Sequence, residues 1–387
     1  MPISPWRRFP AEPEAWFSSE EIDRSQRYQG PIRQWTIVSG GVRAALTLAL
    51  IGFGVPPAIL DGVGGPWPVR LAVMALLLGV YDVVTSLPLD AWRQLRYDRE
   101  WGFSTTTTRT FVLDQFRAIA VTLGLLSALL IPLWAVIRTT ERWWIWVWAV
   151  LVGFSVLLAF LLPAVILPIF NKFTPLDDDA LRDRLLAVAA KCGADISEIE
   201  IEDASKRTRR DNAFVAGLGR TRKVVLFDTM LERPHEQIVS ITAHEIGHWK
   251  LRHILRVLPV GAGVQLVDLA VLQALLTTST VLDFAGVDSI GDPAAVPVFL
   301  LGFGVVGRFS RLVTAYLSRS HERQADLYAL EITGDAKTFI AAMRDLHTDN
   351  LAELTPSAWK RLNHTHPPAA ERMAMGAAWG AAADASA

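Results

Sequence analysis

One stretch of the sequence limits the fold more than any other, because residues 143–171 contain no charged side chain. A helix that crosses the hydrocarbon core of a bilayer, about 30 Å thick, needs about 20 apolar residues. This stretch is long enough, and five others also qualify. The six predicted spans are residues 36–56, 67–87, 117–137, 143–170, 255–280 and 294–316. We therefore predict a mainly α-helical, multi-pass membrane bundle of about six spans.

The composition supports membrane spans combined with an aqueous part. The 387 residues are 51% hydrophobic, yet 20% are charged, so the charges are segregated from the apolar stretches. A formal net charge of −1 gives no indication of nucleic-acid binding. Cys192 is the single cysteine, which excludes an internal disulfide and a cysteine-based zinc site.

The placement of the basic residues predicts the orientation in the membrane. The connections 57–66 and 281–293 contain no Lys or Arg, whereas the connection 88–112 carries four arginines. Only the short turn with Arg138 and Arg142 breaks this pattern. Because positively charged loops stay on the cytoplasmic side, we predict that both termini and the soluble insert are cytoplasmic.

The insert between the fourth and fifth spans is predicted to be a small α/β unit. Its expected elements are a helix Leu181–Lys191, strands at Glu198–Glu202, Asn212–Gly217 and Lys223–Phe227, a hairpin turn at 217–222, and a helix Pro234–His253. The full predicted order is an interfacial segment 1–35, a four-span region 36–170, the α/β domain 171–253, a two-span hairpin 254–318, a helical catalytic part 319–375 and a disordered tail 376–387.

The motif HEIGH at residues 244–248 lies inside the last of these predicted helices. Positions four apart share one face of a helix, so His244 and His248 point the same way and can bind one Zn²⁺. Glu245 lies beside them and can act as a base that takes a proton from water. A chance match is the alternative, but these three side chains in an apolar run are costly without a role.

A catalytic zinc needs three protein ligands and one open position. In one branch of the zinc proteases that carry an HExxH motif, a third histidine lies six residues after the second, and a glycine lies midway between them. Here those positions hold Ile254 and Leu251, which excludes that branch. His253 would lie about 140° around the helix from His248. We therefore expect His253 to cap the helix end or to face lipid headgroups.

A glutamate from a later helix is the other source of a third ligand. Glu322 and Asp326 are one turn apart just after the sixth span and share a helix face. Glu322 can bind the metal, and Asp326 can accept the second N–H of a bound imidazole. From spacing alone, a solvated charge cluster with Arg319, His321 and Arg323 explains this segment equally well.

Further motifs accompany HEIGH in a fixed order. They are Trp101-Gly102-Phe103, Ser205-Lys206-Arg207, Asn212-Ala213-Phe214 and the segments 223–229, 318–326 and 366–372. With these motifs the chain resembles the type I CAAX prenyl protease family of integral-membrane zinc endopeptidases over about residues 15–375. We expect a prokaryotic member. Eukaryotic members usually have seven spans around a chamber, and the first of these is missing from the six predicted here.

The resemblance implies one Zn²⁺ per chain, bound by His244, His248 and Glu322, with Glu245 as the catalytic base. It raises the expectation that Glu322 is the third ligand, with Asp326 supporting a zinc-bound histidine. It also implies that His366 is a catalytic residue that donates a hydrogen bond to the oxyanion. The alternative for His366 is a loop histidine next to two prolines.

Two residues are expected to bind the substrate. In related zinc proteases an extended peptide adds to an edge strand, so Asn212 is expected to hold the peptide backbone. Arg372 is expected to pair with a carboxylate of the substrate or with Glu322. The plainer alternatives are that Asn212 is an asparagine in a turn and that Arg372 is a charged residue on the surface.

The sequence thus predicts a membrane-embedded zinc endopeptidase that cleaves extended peptides near the bilayer. In the family the substrates include prenylated CAAX C-termini, from which the last three residues are released, so the expected partners are the bilayer and a peptide that can be lipidated. Two alternatives stay open. One is a membrane-protein quality-control protease of the heat-shock type, and the other is an inactive scaffold or transporter with a zinc site.

Overall fold

The computed structural model describes Ser4 and residues 8–196, 198–217 and 222–385. Within these ranges it contains fifteen α-helices and one four-stranded sheet. The helices are α1 (Ser19–Gly52), α2 (Val55–Val63), α3 (Trp67–Trp92), α4 (Asp98–Glu100), α5 (Thr108–Thr139), α6 (Trp143–Leu161), α7 (Leu167–Phe170), α8 (Asp179–Lys191), α9 (His235–Lys250), α10 (His253–Leu276), α11 (Ser279–Ala285), α12 (Val296–Thr333), α13 (Ala336–Asp349), α14 (Ala358–Asn363) and α15 (Ala369–Asp384). The strands are β1 (Phe173–Pro175), β2 (Glu198–Glu202), β3 (Ala213–Ala216) and β4 (Lys223–Phe227).

Six helical stretches among the described residues are long and apolar enough to cross a membrane, which confirms the predicted bundle. They are Ser19–Gly52, Trp67–Glu100, Thr108–Thr139, Trp143–Phe170, His253–Leu276 and Pro293–Thr333. Most of their surface is exposed in the isolated chain, as expected for helices that are covered by lipid. Large side chains such as Trp134, Trp143 and Phe299 fill an apolar core within the bundle.

The N-terminal segment is not a separate surface-lying element over its described helical part. The helix of the first span begins at Ser19, because the Ser18 side chain and Glu21 form a reciprocal capping box. The start of α1 then packs against the C-terminal part of the chain, with the Ser25 hydroxyl donating to the Ala352 carbonyl at 2.6 Å. Helix α1 therefore runs without a break from Ser19 through the predicted boundary at residue 35, so the predicted segment and the first span are not separate elements.

The soluble sheet has the strand order β1-β2-β4-β3. Strands β2 and β4 have the predicted bounds and pair in parallel, and β3 pairs with β4 in an antiparallel manner. Strand β3 is thus an edge strand. Strand β1, which sequence analysis missed, is only three residues long. Most of the predicted hairpin turn, residues 218–221, lies outside the described residues.

Helix α12 joins the membrane bundle to the soluble part. Its 38 residues correspond to a rod of about 57 Å. The C-terminal end of α12 places Leu327 and Leu330 in an apolar core shared with the sheet, α8, α9, α13 and α15. The same continuous helix therefore anchors in the bilayer and supports the aqueous domain.

The C-terminal tail is ordered, which contradicts the predicted disorder at residues 376–387. Helix α15 continues to Asp384, and Trp379 is only 8% exposed in the soluble core. A Cβ atom at Gly376 would lie 2.9 Å from Cδ1 of Phe339, so α13 and α15 are in close contact. The many alanines indicate high helix propensity here rather than disorder. Residues 386–387 lie outside the described residues.

Trp379→Ala tests whether this tail is part of the folded core. Removing a buried tryptophan lowers the free energy of unfolding by about 3 kcal/mol, because apolar contacts are lost and a cavity remains. The matched control is Trp359→Ala, since Trp359 is 57% exposed. Thermal unfolding in detergent should show a clearly lower Tm for the first variant only. Equal Tm values for the two variants would contradict the packing of α15.

Candidate metal centre

Helix α9 presents both histidines of the HEIGH motif on one face. The helix is shorter than the predicted Pro234–His253, because it ends at Lys250 and Arg252 adopts the left-handed conformation with a φ of 54°. The Nε2 atoms of His244 and His248 lie 3.1 Å apart. Two imidazole nitrogens therefore converge on one point, as the four-residue spacing predicts.

Helix α12 brings a carboxylate to the same point. The Glu322 oxygens lie 3.5 Å from Nε2 of His244 and 3.3 Å from Nε2 of His248. One potential ligand atom of each residue lies within 4.8 Å of the others. Glu322 is 5% exposed, so the alternative of a solvated charge cluster does not describe it.

A glycine permits this approach of α9 to α12. A Cβ atom at Gly247 would lie 3.1 Å from Cδ1 of Tyr328 and 3.4 Å from the backbone of Ala325. A Cβ atom there would touch the Ala325 backbone and require the Tyr328 ring to shift by a few tenths of an ångström, so the two helices are already in close contact at this position. The glycine of HEIGH therefore has a packing role that is separate from the chemistry of the motif.

The donor set fits a divalent metal ion. Two imidazole nitrogens and one carboxylate, held on two helices, are a ligand set typical of catalytic metal sites in proteins. Glu245, which follows His244 in the sequence, and His366, which contacts Glu322, both line an open cavity beside these three side chains. This arrangement leaves room for a further ligand.

Behind His244 lies a buried ion pair. Nδ1 of His244 lies 2.8 Å from Oδ1 of Asp326, which is fully buried. Arg372 donates to both oxygens of Asp326, from Nε at 2.8 Å and from Nη2 at 2.5 Å. Burial lowers the pKa of the Arg372 guanidinium, but Asp326 more than offsets this and holds the pKa above its ordinary value.

This ion pair corrects one expectation. Arg372 pairs with Asp326, and the described residues show no ion pair between Arg372 and Glu322, although Arg372 is among the residues that line the cleft. Its side chain is 5% exposed, so little of it is available to a peptide in the cleft. We assign no substrate-binding role to Arg372.

A cleft of about 370 Å³ runs along the metal site. Its lining includes Asn212 and Ala213 at the start of β3, together with Glu245 and His366. His366 is 60% exposed, and its Nδ1 lies 2.8 Å from Oε2 of Glu322. Burial raises the pKa of the Glu245 carboxyl, although the adjacent His244 and His248 counteract the shift. Four of the predicted site residues, Asn212, Glu245, His366 and Arg372, thus line one cleft, and the cluster of His244, His248 and Glu322 lies beside it.

Two histidines near the site were missed by sequence analysis. His253 is 3% exposed, with Nδ1 at 3.0 Å from Nδ1 of His248, so the prediction of a helix cap or a lipid-facing residue is wrong. His347 lies on α13 and lines the cleft, with Nδ1 at 2.6 Å from the Met343 carbonyl. No local pattern signals either placement, because His253 depends on the break between α9 and α10 and His347 depends on packing between helices.

The fold and the site together define a class of protein. It is a membrane bundle whose last span carries one ligand of a histidine–histidine–glutamate metal centre. Residues 175–378 match the model of peptidase family M48. Residues 5–172 match the model described as the CAAX prenyl protease N-terminal region with five membrane helices. The chain belongs to peptidase family M48, and the resemblance inferred from its motifs is confirmed.

Relatives extend over almost the whole chain. An uncharacterized metalloprotease, YhfN of Bacillus subtilis, is 26% identical over 374 residues, which cover 94% of this chain and 87% of that protein. CAAX prenyl protease 1 of Saccharomyces cerevisiae is 25% identical over 388 residues, which cover 92% and 85%. The crystal structure of S. mikatae Ste24p has the same fold, with a TM-score of 0.85, 23% identity, and coverage of 96% of this chain and 92% of that one.

These findings establish an integral-membrane metalloprotease. A metal is implied by the family and by the cluster of His244, His248 and Glu322. The alternative of an inactive scaffold or transporter is not favoured. The family model for the N-terminal region is described with five membrane helices, whereas the described residues of that region contain four candidate spans.

Protonation of His347 should make stability depend on pH. Burial and the positive charge of Arg372 lower the pKa of His347 to about 4, against about 6.5 in an unfolded chain. The unfolded state therefore binds the proton first, and stability falls as the pH drops from about 6.5 towards 4. We expect the Tm measured between pH 7.5 and pH 5 to fall less in His347→Gln than in the unmodified protein.

Comparing the two proteins removes the contribution of the other histidines, which are present in both. Identical slopes of Tm against pH would show that His347 is not held neutral in the folded state.

Proposed function

We propose that the protein is a zinc-dependent endopeptidase that cleaves extended peptides beside the membrane. The observation that carries this proposal is the meeting of two imidazoles and the Glu322 carboxylate next to Glu245 in an open cleft. Nitrogen and carboxylate ligands in this number suit Zn²⁺. The single cysteine, Cys192, is buried and is not among the three candidate ligands.

His244, His248 and Glu322 are the proposed ligands of one zinc ion per chain. When bound, Zn²⁺ supplies Lewis-acid activation of water and of the scissile carbonyl. Glu245 acts as the general base that takes a proton from the attacking water and then delivers it to the leaving amine. The cleft location of its carboxylate and its raised pKa both support a proton-transfer role.

His366 is the proposed oxyanion donor. Its imidazole is exposed on the cleft and lies on the Glu322 side of the site, at the end of the cavity that also holds Glu245. A donor aimed at the developing negative charge contributes about 3 kcal/mol to transition-state stabilisation in other hydrolases. Asp326, fixed by Arg372, holds the ring of His244 in one orientation.

The substrate backbone is proposed to lie along β3. This edge strand pairs with β4 on one side, and Asn212 and Ala213 at its start line the cleft. An extended peptide can add to a free strand edge by main-chain hydrogen bonds. The Asn212 side chain then offers one acceptor and two donors to the peptide backbone.

Substrates are proposed to reach the site from the cytoplasmic membrane surface. The arginine-rich connections support this orientation. Glu322 follows the predicted end of the sixth span by six residues of helix, or about 9 Å, which keeps the site close to the bilayer. This position and the names of the relatives support C-terminal peptides that carry a prenyl group as the substrates. No observation favours general quality control of misfolded membrane proteins.

Glu245→Gln should abolish hydrolysis without loss of the metal. The amide cannot accept the proton, so we expect kcat to fall by about 10³-fold, while elemental analysis still finds about one zinc per chain. Glu236→Gln is the matched control, because Glu236 lies on the same helix but pairs with Arg184 at the surface. Near-normal proteolysis by Glu245→Gln would remove Glu245 as the base.

A pair of peptides tests the substrate class. The two share one sequence with a CAAX-type C-terminus, and only one carries a farnesyl group on its cysteine. The release of the last three residues is monitored by mass spectrometry. We expect this cleavage to be at least tenfold more efficient for the farnesylated peptide than for the other one. Asn212→Ala should raise the KM of both peptides equally, since the Asn212 side chain is proposed to contact the peptide backbone and not the farnesyl group. Equal cleavage of the two peptides would contradict a prenyl preference but not the zinc protease.

A further inference from the structure

A third histidine lies directly behind the metal site on the side of His248. Nδ1 of His253 is 3.0 Å from Nδ1 of His248, and the two rings meet edge to face with their centroids 5.0 Å apart. His253 is 3% exposed, so water does not compete for this contact. None of the roles assigned above explains a buried histidine at this position.

The backbone places His253 there by an uncommon turn. If α9 continued, the side chain at 253 would project about 140° away from His248. Instead α9 ends at Lys250, Arg252 adopts a φ of 54° and a ψ of 39°, and α10 begins at His253. Non-glycine residues rarely adopt this left-handed conformation. This break between the two helices changes the direction in which residue 253 projects and brings its imidazole against His248.

The hydrogen bond between the two rings fixes their proton positions. His248 faces Glu322 and His244 through Nε2, so this nitrogen is the ligand atom and must be unprotonated. The remaining proton of a neutral His248 is on Nδ1. Since the two Nδ1 atoms are in hydrogen-bond contact, Nδ1 of His248 donates and Nδ1 of His253 accepts. His253 must then be neutral, with its own proton on Nε2.

A parallel stack holds the accepting ring in place. The ring of His321 lies 4.3 Å from that of His253, at an interplanar angle of 10°. His321 directly precedes Glu322 on α12. The stack therefore connects the start of α10 to the residue next to the carboxylate ligand. Arg256 also spans this junction by donating to Gln324 at 3.3 Å.

We propose that His253 is a positioning residue that orients His248 through a neutral Nδ1 acceptor. This inference rests on the proposed zinc site. Asp326 plays the equivalent part for His244, but with a carboxylate whose charge is balanced by Arg372. His253 supports its ligand without adding any charge to the site. The two histidine ligands are thus fixed by chemically different groups on opposite sides of the centre.

Two substitutions separate the hydrogen bond from the ring stack. His253→Phe keeps a flat ring against His321 but has no acceptor, whereas His253→Asn keeps an acceptor near the Nδ1 position and loses the ring. The measurement is the dissociation constant for Zn²⁺ in detergent, by competition with a chromogenic chelator. The Tm of each metal-free protein is recorded as well. His235→Asn, at the partly exposed start of α9, is the control.

We expect His253→Phe to bind Zn²⁺ 10- to 100-fold more weakly, the usual effect of losing a group that orients a metal ligand. His253→Asn and His235→Asn should stay within about threefold of the unmodified protein, as expected where the hydrogen bond persists. Unchanged affinity in His253→Phe would overturn the proposal. Equal losses of affinity in the Phe and Asn variants, with lowered Tm in both, would also overturn it by showing a packing role.

The zinc protease proposal has a separate outcome in the same experiment. If the unmodified protein binds no zinc, the proposed function fails whatever the variants do. If it binds zinc and His253→Phe binds it equally well, only the positioning role of His253 fails.

Discussion

The contact between α9 and α12 is the constraint on which the rest of the structure depends. Gly247 lets these helices approach until its neighbours His244 and His248 face Glu322 at 3.3 to 3.5 Å. One helix belongs to the soluble domain, and the other is the continuation of the last membrane span. The metal centre therefore exists only when the bundle and the soluble domain are assembled together.

Buried charge makes this assembly specific. Asp326 lies fully buried on α12, and it is neutralised by Arg372 from α15. Removing either partner would leave an unpaired charge in the core, which typically costs 3 to 5 kcal/mol. The C-terminal helix is thus tied to the centre by an ion pair as well as by apolar packing, and its order is a condition for the position of His244.

The sequence was sufficient for the features that depend on local periodicity and on motif spacing. The charge-free stretch at 143–171 indicated a membrane span, the four-residue spacing placed His244 and His248 on one face, and the strands Glu198–Glu202 and Lys223–Phe227 have the predicted bounds. Glu322 was less certain from spacing, because a cluster of charges after a span is equally typical of a solvated surface. The family motifs resolved this ambiguity.

The features that sequence analysis missed depend on tertiary packing. The left-handed Arg252 breaks the helix and turns His253 towards the site, and nothing in the Leu-Arg sequence signals this break. The alanine-rich composition of the C-terminal end predicts disorder, yet Trp379 is buried and Gly376 lies against α13. Arg372 was given the wrong carboxylate partner because pairing across helices cannot be derived from spacing.

The most direct test of the proposed zinc site is crystallographic anomalous scattering at the zinc absorption edge. The protein is purified without added chelator. We expect one anomalous peak per chain, about 2.0 to 2.2 Å from Nε2 of His244, Nε2 of His248 and an oxygen of Glu322. A strong zinc peak bound elsewhere, with the Glu322 carboxylate turned away from both imidazoles, would contradict it.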